Sequence, residues 1–418
     1  MKLIFFILLL TIDLPAQINV EYYLENAYKN NVELKNIKNR NEQNTLQLNI
    51  DKSESEGMNI YLTGNYLISP YYDGGKIKIT QNPTANAIGY DIGITNGGLY
   101  SALINVEKKI ITSSISDIFK NKNRIQKAII NYDSLTFKRE VTKQVIELYI
   151  QAYFTYKLYL NSKRINTILN KQYQTLRLLL NNGSVNSTDI LLFLIEIKNQ
   201  NIIESQYLLD YKINLLLLNN VCGINDTSSV VLDTVNNYNF YDRYNFSYKY
   251  SLDSLNYENL QELYEIKYKP QLTLFFNSGL NALEINNIQR KFGLSAGLNL
   301  QIPLYDGNQK ELTKQQSIIQ LKSINEYKFN YEKLLISQRQ ISELKIGNLE
   351  KSLNNYKSQL QDYESVINQS FNSLSNGNLS VTDYLTLLRS YYLINEQFIN
   401  ATKDYCTEKN NLSYWEQR

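Results

Sequence analysis

Histidine is absent from this chain, and cysteine occurs only twice in 418 residues. Histidine carries much of the acid–base catalysis that occurs near neutral pH, and zinc sites are built mainly from histidine and cysteine. The composition therefore excludes a histidine-containing catalytic triad and argues against a metal site. The sequence also lacks a phosphate-binding loop and a Gly-x-Gly-x-x-Gly segment after a predicted strand. We therefore expect a protein that is not an enzyme and that holds no cofactor.

An excess of charge of either sign is also missing. The chain has 43 lysines and arginines against 40 aspartates and glutamates, which gives a net charge of +3. A protein that binds nucleic acid through its phosphates normally presents a strongly basic surface. No nucleic-acid partner is therefore predicted for this chain.

Long hydrophobic runs are missing as well. No stretch approaches eighteen uncharged apolar residues, so no transmembrane helix is predicted. A short apolar run, Leu3–Leu10, follows a lysine and precedes a small residue, Ala16, that suits cleavage. This pattern is typical of a secretory signal peptide over residues 1–16, so we expect an exported protein. Export permits a disulfide, but two unpaired, buried thiols at Cys222 and Cys406 are favoured.

Glycine and proline are scarce, with 16 and 5 occurrences, and neither occurs between Gly98 and Gly183. An unbroken helix of about 80 residues would be about 125 Å long, which no globular core accommodates. Apolar residues in this stretch recur in steps of four and three, the spacing of a supercoiled seam. The seam residues are Val141, Val145, Leu148, Ala152, Tyr156 and Tyr159. A second long helix with a similar seam is predicted from about Asn308 to Asn376.

The segment Phe292–Leu304 alternates strictly between two kinds of residue. The apolar set is Phe292, Leu294, Ala296, Leu298, Leu300, Ile302 and Leu304. The small or polar set is Gly293, Ser295, Gly297, Asn299, Gln301 and Pro303. Such alternation predicts a strand with one apolar and one polar face. A sheet on a soluble core would show this pattern, and so would a transmembrane barrel strand of roughly ten residues.

The predicted elements occur twice in the same order: helix, two strands, long helix, turn and helix. We assign residues 17–223 to the first repeat, residues 224–248 to a polar linker, and residues 249–418 to the second repeat. The predicted strands are Asn59–Ile68, Ile88–Ile94, Gln271–Leu280 and Phe292–Leu304.

Each long helix is followed by a turn with the spacing Gly-x₄-Thr-Asp. The matched residues are Gly183, Thr188 and Asp189 in the first turn and Gly377, Thr382 and Asp383 in the second. Glycine suits the left-handed position after a helix end, and aspartate in the first turn of the next helix favours its start. Either Asn186 or Ser187 can cap the helix that follows the first turn.

Together, in duplicate and behind a signal peptide, these features resemble the TolC family of outer-membrane efflux proteins over nearly the whole mature chain. The segment Gly297-Leu-Asn-Leu-Gln-Ile-Pro-Leu-Tyr-Asp-Gly307 is similar to the family's strand-to-helix signature. The resemblance implies a mainly α-helical fold with a membrane β part. Four strands per chain would contribute to a trimeric, twelve-stranded outer-membrane β-barrel, and long coiled-coil helices would form an α-barrel tunnel. Physical reasoning agrees, because a closed barrel takes about eight strands and open sheet edges in lipid are prohibitive.

The implied function is an outer-membrane exit duct of a tripartite efflux or type I secretion system. Such a duct is a passive homotrimer that lies in the cell outer membrane and extends into the periplasm. Its partners are outer-membrane lipid, a periplasmic adaptor protein and, through the adaptor, an inner-membrane pump. A non-conducting trimeric coiled-coil stalk anchored by a small β-barrel is the alternative, although a stalk needs neither returning helices nor matched turns.

The resemblance also assigns roles to particular residues. The two Gly-x₄-Thr-Asp turns would form the periplasmic tip and dock the adaptor, and Asp383 would line the pore constriction. Pro303, Tyr305 and Gly307 would form the strand-to-helix joint.

The sequence departs from the family pattern at three places. Leu379 stands where studied relatives carry a basic residue that helps to lock the closed tip. Thr386 stands where they carry a second acidic ring, so cation selectivity is expected to be weaker. In the first repeat, the segment Gly93–Gly98 takes the place of the joint and lacks its proline and aromatic residue.

Overall fold

The computed structural model describes residues 18–67, 70–78, 86, 88–89, 100–110, 113–181, 186–226, 230–234, 240–242, 244–282 and 285–416. Its helices are α1 (Val20–Asn30), α2 (Val32–Glu56), α3 (Ser113–Asn181), α4 (Ser187–Cys222), α5 (Tyr248–Glu265), α6 (Gln309–Ser375) and α7 (Val381–Trp415). Its strands are β1 (Met58–Tyr66), β2 (Tyr71–Asp73), β3 (Lys76–Lys78), β4 (Tyr100–Ile110), β5 (Gln271–Ala282) and β6 (Phe292–Gln301). Short 3₁₀ helices span Ile266–Tyr268 and Ile285–Arg290. Among the described residues, no helix combines the length and the apolar character that crossing a bilayer requires.

The chain forms two compact units. The first comprises Met1–Lys38, Asn131–Ser247 and Lys328–Arg418, and the second comprises Asn39–Ile130 and Tyr248–Tyr327. Each unit combines segments from both predicted repeats.

The first unit is helical, and its core lies between α1, α3 and α4. Val145 and Ala152 of the predicted seam are fully buried there, together with Tyr149. The Tyr149 hydroxyl lies 2.8 Å from the carbonyl oxygen of Ile18 and 2.8 Å from that of Asp233. A tyrosine suits this position because its ring fills the core while its hydroxyl reaches backbone acceptors.

The second unit contains an antiparallel four-stranded sheet in the order β1-β4-β5-β6. The pairing of β4 with β5 runs from Tyr100 opposite Ala282 to Ile110 opposite Leu272. The strands β2 and β3 form a separate two-stranded hairpin within the long connection between β1 and β4. A sheet of four strands, two from each repeat, agrees with the predicted fold class.

The second strand of the first repeat is not where we predicted it. We expected Ile88–Ile94 to pair with the first strand and a helix to follow Gly98. The paired strand is β4, and α3 begins only at Ser113, so the helix prediction is wrong for the residues of β4. Most of Ile88–Ile94 lies outside the described residues. The residues of β4 are extended because they are hydrogen-bonded to strands on both sides. This pairing outweighs the helix propensity of Glu107–Lys109.

The joint between strand and helix in the first repeat is therefore not at its predicted place. It follows Ile110, where β4 ends, and does not lie at Gly93–Gly98. Residues 111 and 112 lie outside the described part of the chain. The missing proline and aromatic residue at Gly93–Gly98 therefore say nothing about this joint.

The predicted N-terminal helix is interrupted at Asn31. This residue is extended (φ −61°, ψ 127°), and its side-chain oxygen accepts a hydrogen bond from the backbone N–H of Leu34 at 3.1 Å. An asparagine in this conformation ends one helix and caps the next. At the end of α4, Gly223 is left-handed (φ 64°) and closes the helix.

Neither cysteine forms a disulfide, as predicted. Cys222 is buried, and burial raises the pKa of its thiol to about 12. The expectation of burial is wrong for Cys406, which is only partly buried because it packs at the margin of the α1–α3–α4 core.

Candidate channel sheet and helix-turn sites

The four-stranded sheet has one apolar and one polar face. In the register, Leu62 lies opposite Ile104, and Ser278 lies opposite both Ile104 and Leu294. Because directly opposed residues share a face, the alternating apolar positions of the four strands form one surface. That surface contains Met58, Ile60, Leu62, Ile104, Val106, Leu272, Leu274, Phe276, Phe292, Leu294, Leu298 and Leu300. Leu62 is 74% exposed and Leu294 68% exposed, so this face requires a lipid or protein covering.

One cation lies on the apolar face. Lys108 is opposite Met58 and Leu274, two residues before the end of β4. A lysine near a strand end can extend its ammonium beyond an apolar band while its methylene groups stay within it. A cation at this position is compatible with a membrane boundary at the helix end of the sheet.

The opposite face carries mostly small and polar side chains, together with Tyr61, Leu103 and Phe275. The Asn105 amide donates to Thr63 Oγ1 at 2.7 Å across β1 and β4. A cavity of about 480 Å³ lies at this face, and Asn277, Gly279 and Ser295 are among its lining residues. A Cβ atom at Gly279 would lie 2.2 Å from the Ala102 carbonyl oxygen, so the close strand approach requires glycine. Such a face is suited to a water-filled lumen.

The sheet ends in two incompletely paired strands. Among the described residues, β1 pairs only with β4, and β6 pairs only with β5. Each therefore leaves one row of backbone N–H and C=O groups without a strand partner. In lipid such an edge must be paired with another chain.

The predicted strand-to-helix joint follows β6. The strand ends at Gln301, and Pro303 lies beyond it because proline has no N–H to donate to a ladder. Gly307 and Asn308 are both left-handed, with φ values of 70° and 66°, and α6 begins directly after them. Tyr305 is 80% exposed. The joint thus contains two consecutive left-handed residues, a conformation that glycine adopts at Gly307 without strain.

Asp306 is a joint residue that the sequence analysis did not single out. Its carboxylate accepts a hydrogen bond from the backbone N–H of Lys310 at 2.7 Å and so caps the start of α6. The hydrogen bond from the Tyr268 hydroxyl holds the pKa of this carboxyl below its usual range. An aspartate directly before a left-handed glycine is the sequence signal that could have identified it.

Gly377 occupies the predicted left-handed position after α6. Its φ is 74°, and its N–H donates to the Leu374 carbonyl at 3.1 Å. The N–H of Asn378 donates to the Ser373 carbonyl at 2.9 Å. These two bonds form a Schellman motif, which closes the helix end. Gly183, its counterpart in the first turn, lies outside the described residues.

The helices after the two turns are capped by similar means. At α4 the Asn186 side chain accepts from the Asp189 N–H at 2.9 Å, and the Asp189 carboxylate accepts in return from the Asn186 N–H at 3.4 Å. At α7 the Ser380 hydroxyl accepts from the Asp383 N–H at 3.1 Å and donates to the Asp383 carboxylate at 2.6 Å. Both aspartates therefore stabilise helix starts. Thr188 and Thr382 are exposed beside them.

The structure brings the helix ends that flank the two turns to the same end of one helical bundle. A buried cluster joins the last turns of α3 and α6 to the first turns of α4 and α7. Its members include Leu176, Ile190, Phe193, Leu374, Val381, Tyr384 and Leu388. The Tyr384 hydroxyl is hydrogen-bonded to the Gln172 side chain. The helix ends that flank the matched turns therefore share a core, which sequence similarity alone could not show.

An ion pair that the sequence analysis missed links α4 to α7 near this end. Arg389 Nε and Nη2 donate to the same oxygen of Glu196 at 2.9 and 2.6 Å. The Glu196 side chain is only 8% exposed, whereas that of Arg389 is 57% exposed. The hydrogen bonds to Glu196 raise the pKa of Arg389, which is charged in any case. No sequence spacing links the two residues, because they belong to different repeats.

A second apolar surface runs along α4. Side chains there recur at heptad spacing but point away from the described core. They are Leu192 (36% exposed), Ile195 (52%), Ile202 (67%), Leu209 (57%), Ile213 (48%) and Leu216 (50%). An exposed seam of this length indicates a contact with another helix.

A four-stranded sheet with an exposed apolar face, joined to long helices, is a fold that this chain shares with solved outer-membrane channels. No protein-family model matches the sequence, and no curated protein is similar to it in sequence. Solved structures do share the fold.

The Campylobacter jejuni CmeC outer membrane channel is 13% identical, with a TM-score of 0.68 over 95% of this chain and 86% of that one. The Vibrio cholerae outer membrane protein VceC is 10% identical, with a TM-score of 0.70 over 94% of each chain. The open-state Neisseria gonorrhoeae MtrE outer membrane channel is 10% identical, with a TM-score of 0.64 over 95% of this chain and 88% of that one.

These similarities confirm the predicted resemblance to TolC-family channels at the level of the fold. All three neighbours are outer-membrane proteins, in agreement with the predicted localisation. The roles predicted for the turns, the joint and Asp383 are not decided by a shared fold and stay predictions.

Proposed function

We propose that this chain is the outer-membrane exit duct of a tripartite efflux or type I secretion system and acts as a homotrimer. The observation that carries the proposal is the sheet, which has an exposed apolar face, a small-residue polar face and two incompletely paired edges. Three copies would supply twelve strands, pair every edge and enclose a lumen. The exposed seam of α4 supports the same association.

The first test is the oligomeric state and conductance of the full-length protein. Extracted in mild detergent, it is expected to run as a trimer in native mass spectrometry and to form stable pores in planar bilayers. A trimer without conductance would favour the alternative, a structural stalk. A monodisperse folded monomer would contradict both proposals, because the sheet edges would then have no partner.

We further propose that the turn at Gly377 docks a periplasmic adaptor that links the duct to an inner-membrane pump. Replacing Gly377 by alanine is expected to cost about 1 kcal/mol, because alanine must adopt a left-handed conformation. The added Cβ meets no atom within 4 Å, so the trimer should form in normal amount. Export is expected to fail, measured as accumulation of a pump substrate in cells.

The matched control is Gly347→Ala, which lies inside α6 and also meets no atom within 4 Å. This change leaves helix geometry intact and should leave export unchanged. Normal export by Gly377→Ala cells would show that the turn is only a helix cap.

We propose that the ion pair between Arg389 and Glu196 helps to hold the periplasmic tip closed. In studied relatives a basic residue at the position of Leu379 has this role. Replacing Arg389 by glutamine leaves a buried carboxylate without its partner and should weaken the α4–α7 contact by about 1–3 kcal/mol. The closed trimer is then expected to open more often in planar bilayers.

Glu196→Gln should act in the same direction but less strongly, because the exposed Arg389 would remain hydrated. In a double-mutant cycle, the second substitution should add little to the first. Fully additive effects on open probability would show that the pair is not the unit that holds the tip closed.

A further inference from the structure

A cavity of about 190 Å³ lies within the first unit, between α3, α4 and α7. Its volume is below the roughly 300–1,000 Å³ of sites for drug-sized molecules, so it fits a ligand of only a few heavy atoms. The apolar part of its wall consists of Leu158 and Ile165 on α3, Ile203 on α4 and Leu393 on α7. This wall suits a short alkyl chain.

Two deeply buried side chains of α4 contribute oxygen atoms to the lining. Glu196 and Gln200 are both 6% exposed and lie one helical turn apart on the same face of α4. Arg389 donates only to Oε2 of Glu196, and the Gln200 amide nitrogen donates to Ser162 Oγ at 2.8 Å. Oε1 of Glu196 and Oε1 of Gln200 therefore have no hydrogen-bond partner among the described residues, and neither is sealed from solvent. Acceptors in so buried a position need a donor from water or from a ligand.

A second carboxylate lines the cavity from α7. Glu396 is partly buried and makes no ion pair with any described residue. It accepts a hydrogen bond from the Tyr207 hydroxyl, and burial raises the pKa of that tyrosine, which therefore stays protonated. The lining thus carries two carboxylates against the one guanidinium of Arg389. A cavity with a net negative charge and free acceptor oxygens is suited to a cation that has N–H donors.

We propose that this cavity binds a short primary alkylamine in its ammonium form. An ammonium group has three N–H donors, and Glu196 Oε1, Gln200 Oε1 and the Glu396 carboxylate supply three acceptors. The alkyl chain packs on the apolar wall, and Arg389 keeps the other oxygen of Glu196. This inference needs neither the membrane nor the trimer and so goes beyond the proposed function.

The test is a calorimetric titration of the full-length protein in detergent with n-butylammonium, near neutral pH and at constant ionic strength. One ion is expected to bind per chain. Tetramethylammonium, which has no N–H donor, and n-butanol, which has no charge, should each bind at least about tenfold more weakly. Potassium at the same concentration as n-butylammonium should not displace it.

Glu396→Gln should weaken n-butylammonium binding about tenfold, because it removes a charged acceptor. Its amide oxygen can still accept from Tyr207, so the fold should be kept. The matched control is Glu364→Gln on α6, since Glu364 also accepts from a tyrosine hydroxyl, that of Tyr391 at 3.2 Å, but is not a lining residue. This control should change binding less than about twofold. Glu196 is left unchanged, because it also belongs to the ion pair proposed to hold the tip closed.

Leu393→Ala tests the contact with the alkyl chain. Leu393 is exposed at the rim, so alanine there should leave the fold intact. Binding of n-butylammonium should weaken about threefold, and binding of methylammonium, which has no chain to pack on this wall, less than about twofold.

Several outcomes would overturn the proposal. Equal binding of n-butylammonium and tetramethylammonium, or equal effects of the Glu396 and Glu364 substitutions, would show general attraction of cations to carboxylates. Displacement of n-butylammonium by potassium at equal concentration would show a site for any monovalent cation.

The same preparations distinguish this inference from the proposed function. A trimer that conducts in planar bilayers but does not prefer n-butylammonium to tetramethylammonium refutes the amine site and leaves the duct intact. A protein that binds n-butylammonium through Glu396 but does not conduct refutes the duct and leaves the amine site intact.

Discussion

Replacing Leu294 by arginine is expected to prevent most of the protein from assembling in the membrane. Leu294 is 68% exposed on the apolar face and lies near the middle of the sheet, opposite Ser278. An arginine on the lipid face near the bilayer midplane costs about 2–4 kcal/mol per chain. Three copies of the chain would multiply that cost in a trimer. The measurement is the amount of heat-resistant oligomer in outer-membrane fractions.

The neighbouring substitution Ser295→Arg provides the control. Ser295 lies on the polar face opposite Asn277 and lines the cavity there. Its arginine would point into water, so assembly should be normal and the conductance should change instead. Equal loss of oligomer from both variants would contradict the assignment of the two faces.

Depth provides a second comparison on the same strand. Leu300→Arg lies one residue from the end of β6, where the cost of a charge on the lipid face falls to about 0–1 kcal/mol. The native Lys108 at the same end of the sheet shows that this boundary accepts a cation. Assembly should therefore fall much less for Leu300→Arg than for Leu294→Arg.

Replacing Arg139 by alanine is expected to release the segment 240–246 and the end of α7 from the first unit. Arg139 is 4% exposed, and its guanidinium lies 5.0–5.3 Å from the ring centres of Tyr241, Tyr244, Phe246 and Tyr414. It donates to the carbonyl oxygen of Asp242 at 2.7 Å and also to that of Tyr414. Burial lowers the pKa of Arg139 from its ordinary value.

The loss of these interactions should cost about 2–4 kcal/mol, since the buried hydrogen bond to Tyr414, the partly buried one to Asp242 and the contacts with four rings are all lost. Limited proteolysis should then cut within residues 240–246 or near Trp415. Arg139→Lys should recover only part of the protection, because a lysine lacks the planar fork that reaches two carbonyls.

Lys138→Ala is the matched control, because Lys138 is the adjacent residue on α3 and pairs with the Asp242 carboxylate at 2.8 Å. Both side chains of that pair are largely exposed, at 40% and 59%, so its loss should cost less than about 1 kcal/mol. If Arg139→Ala and Lys138→Ala both resist protease as well as the wild type does, the Arg139 guanidinium does not hold the segment 240–246.

Much of the local structure was determined by the sequence. The alternation in Phe292–Leu304 predicted β6 and its two faces, because side chains of a strand alternate whatever the strand pairs with. The glycine at Gly377 predicted a left-handed helix end, since that conformation strains other residues. The aspartates Asp189 and Asp383 predicted helix starts for a similarly local reason.

Three features were decided only by tertiary structure. The strand β4 carries apolar residues at alternate positions as far as Val106, but three charged residues follow, Glu107, Lys108 and Lys109, and it is extended because β1 and β5 bind it on both sides. The Glu196–Arg389 ion pair joins residues from different repeats, and so do the aromatic rings around the Arg139 guanidinium. Periodicity reports which face of an element is buried, but not which partner covers that face. Which partner covers a face depends on packing between segments that are far apart in the sequence. The pairing of helices and strands in this chain is therefore determined only when those segments come into contact.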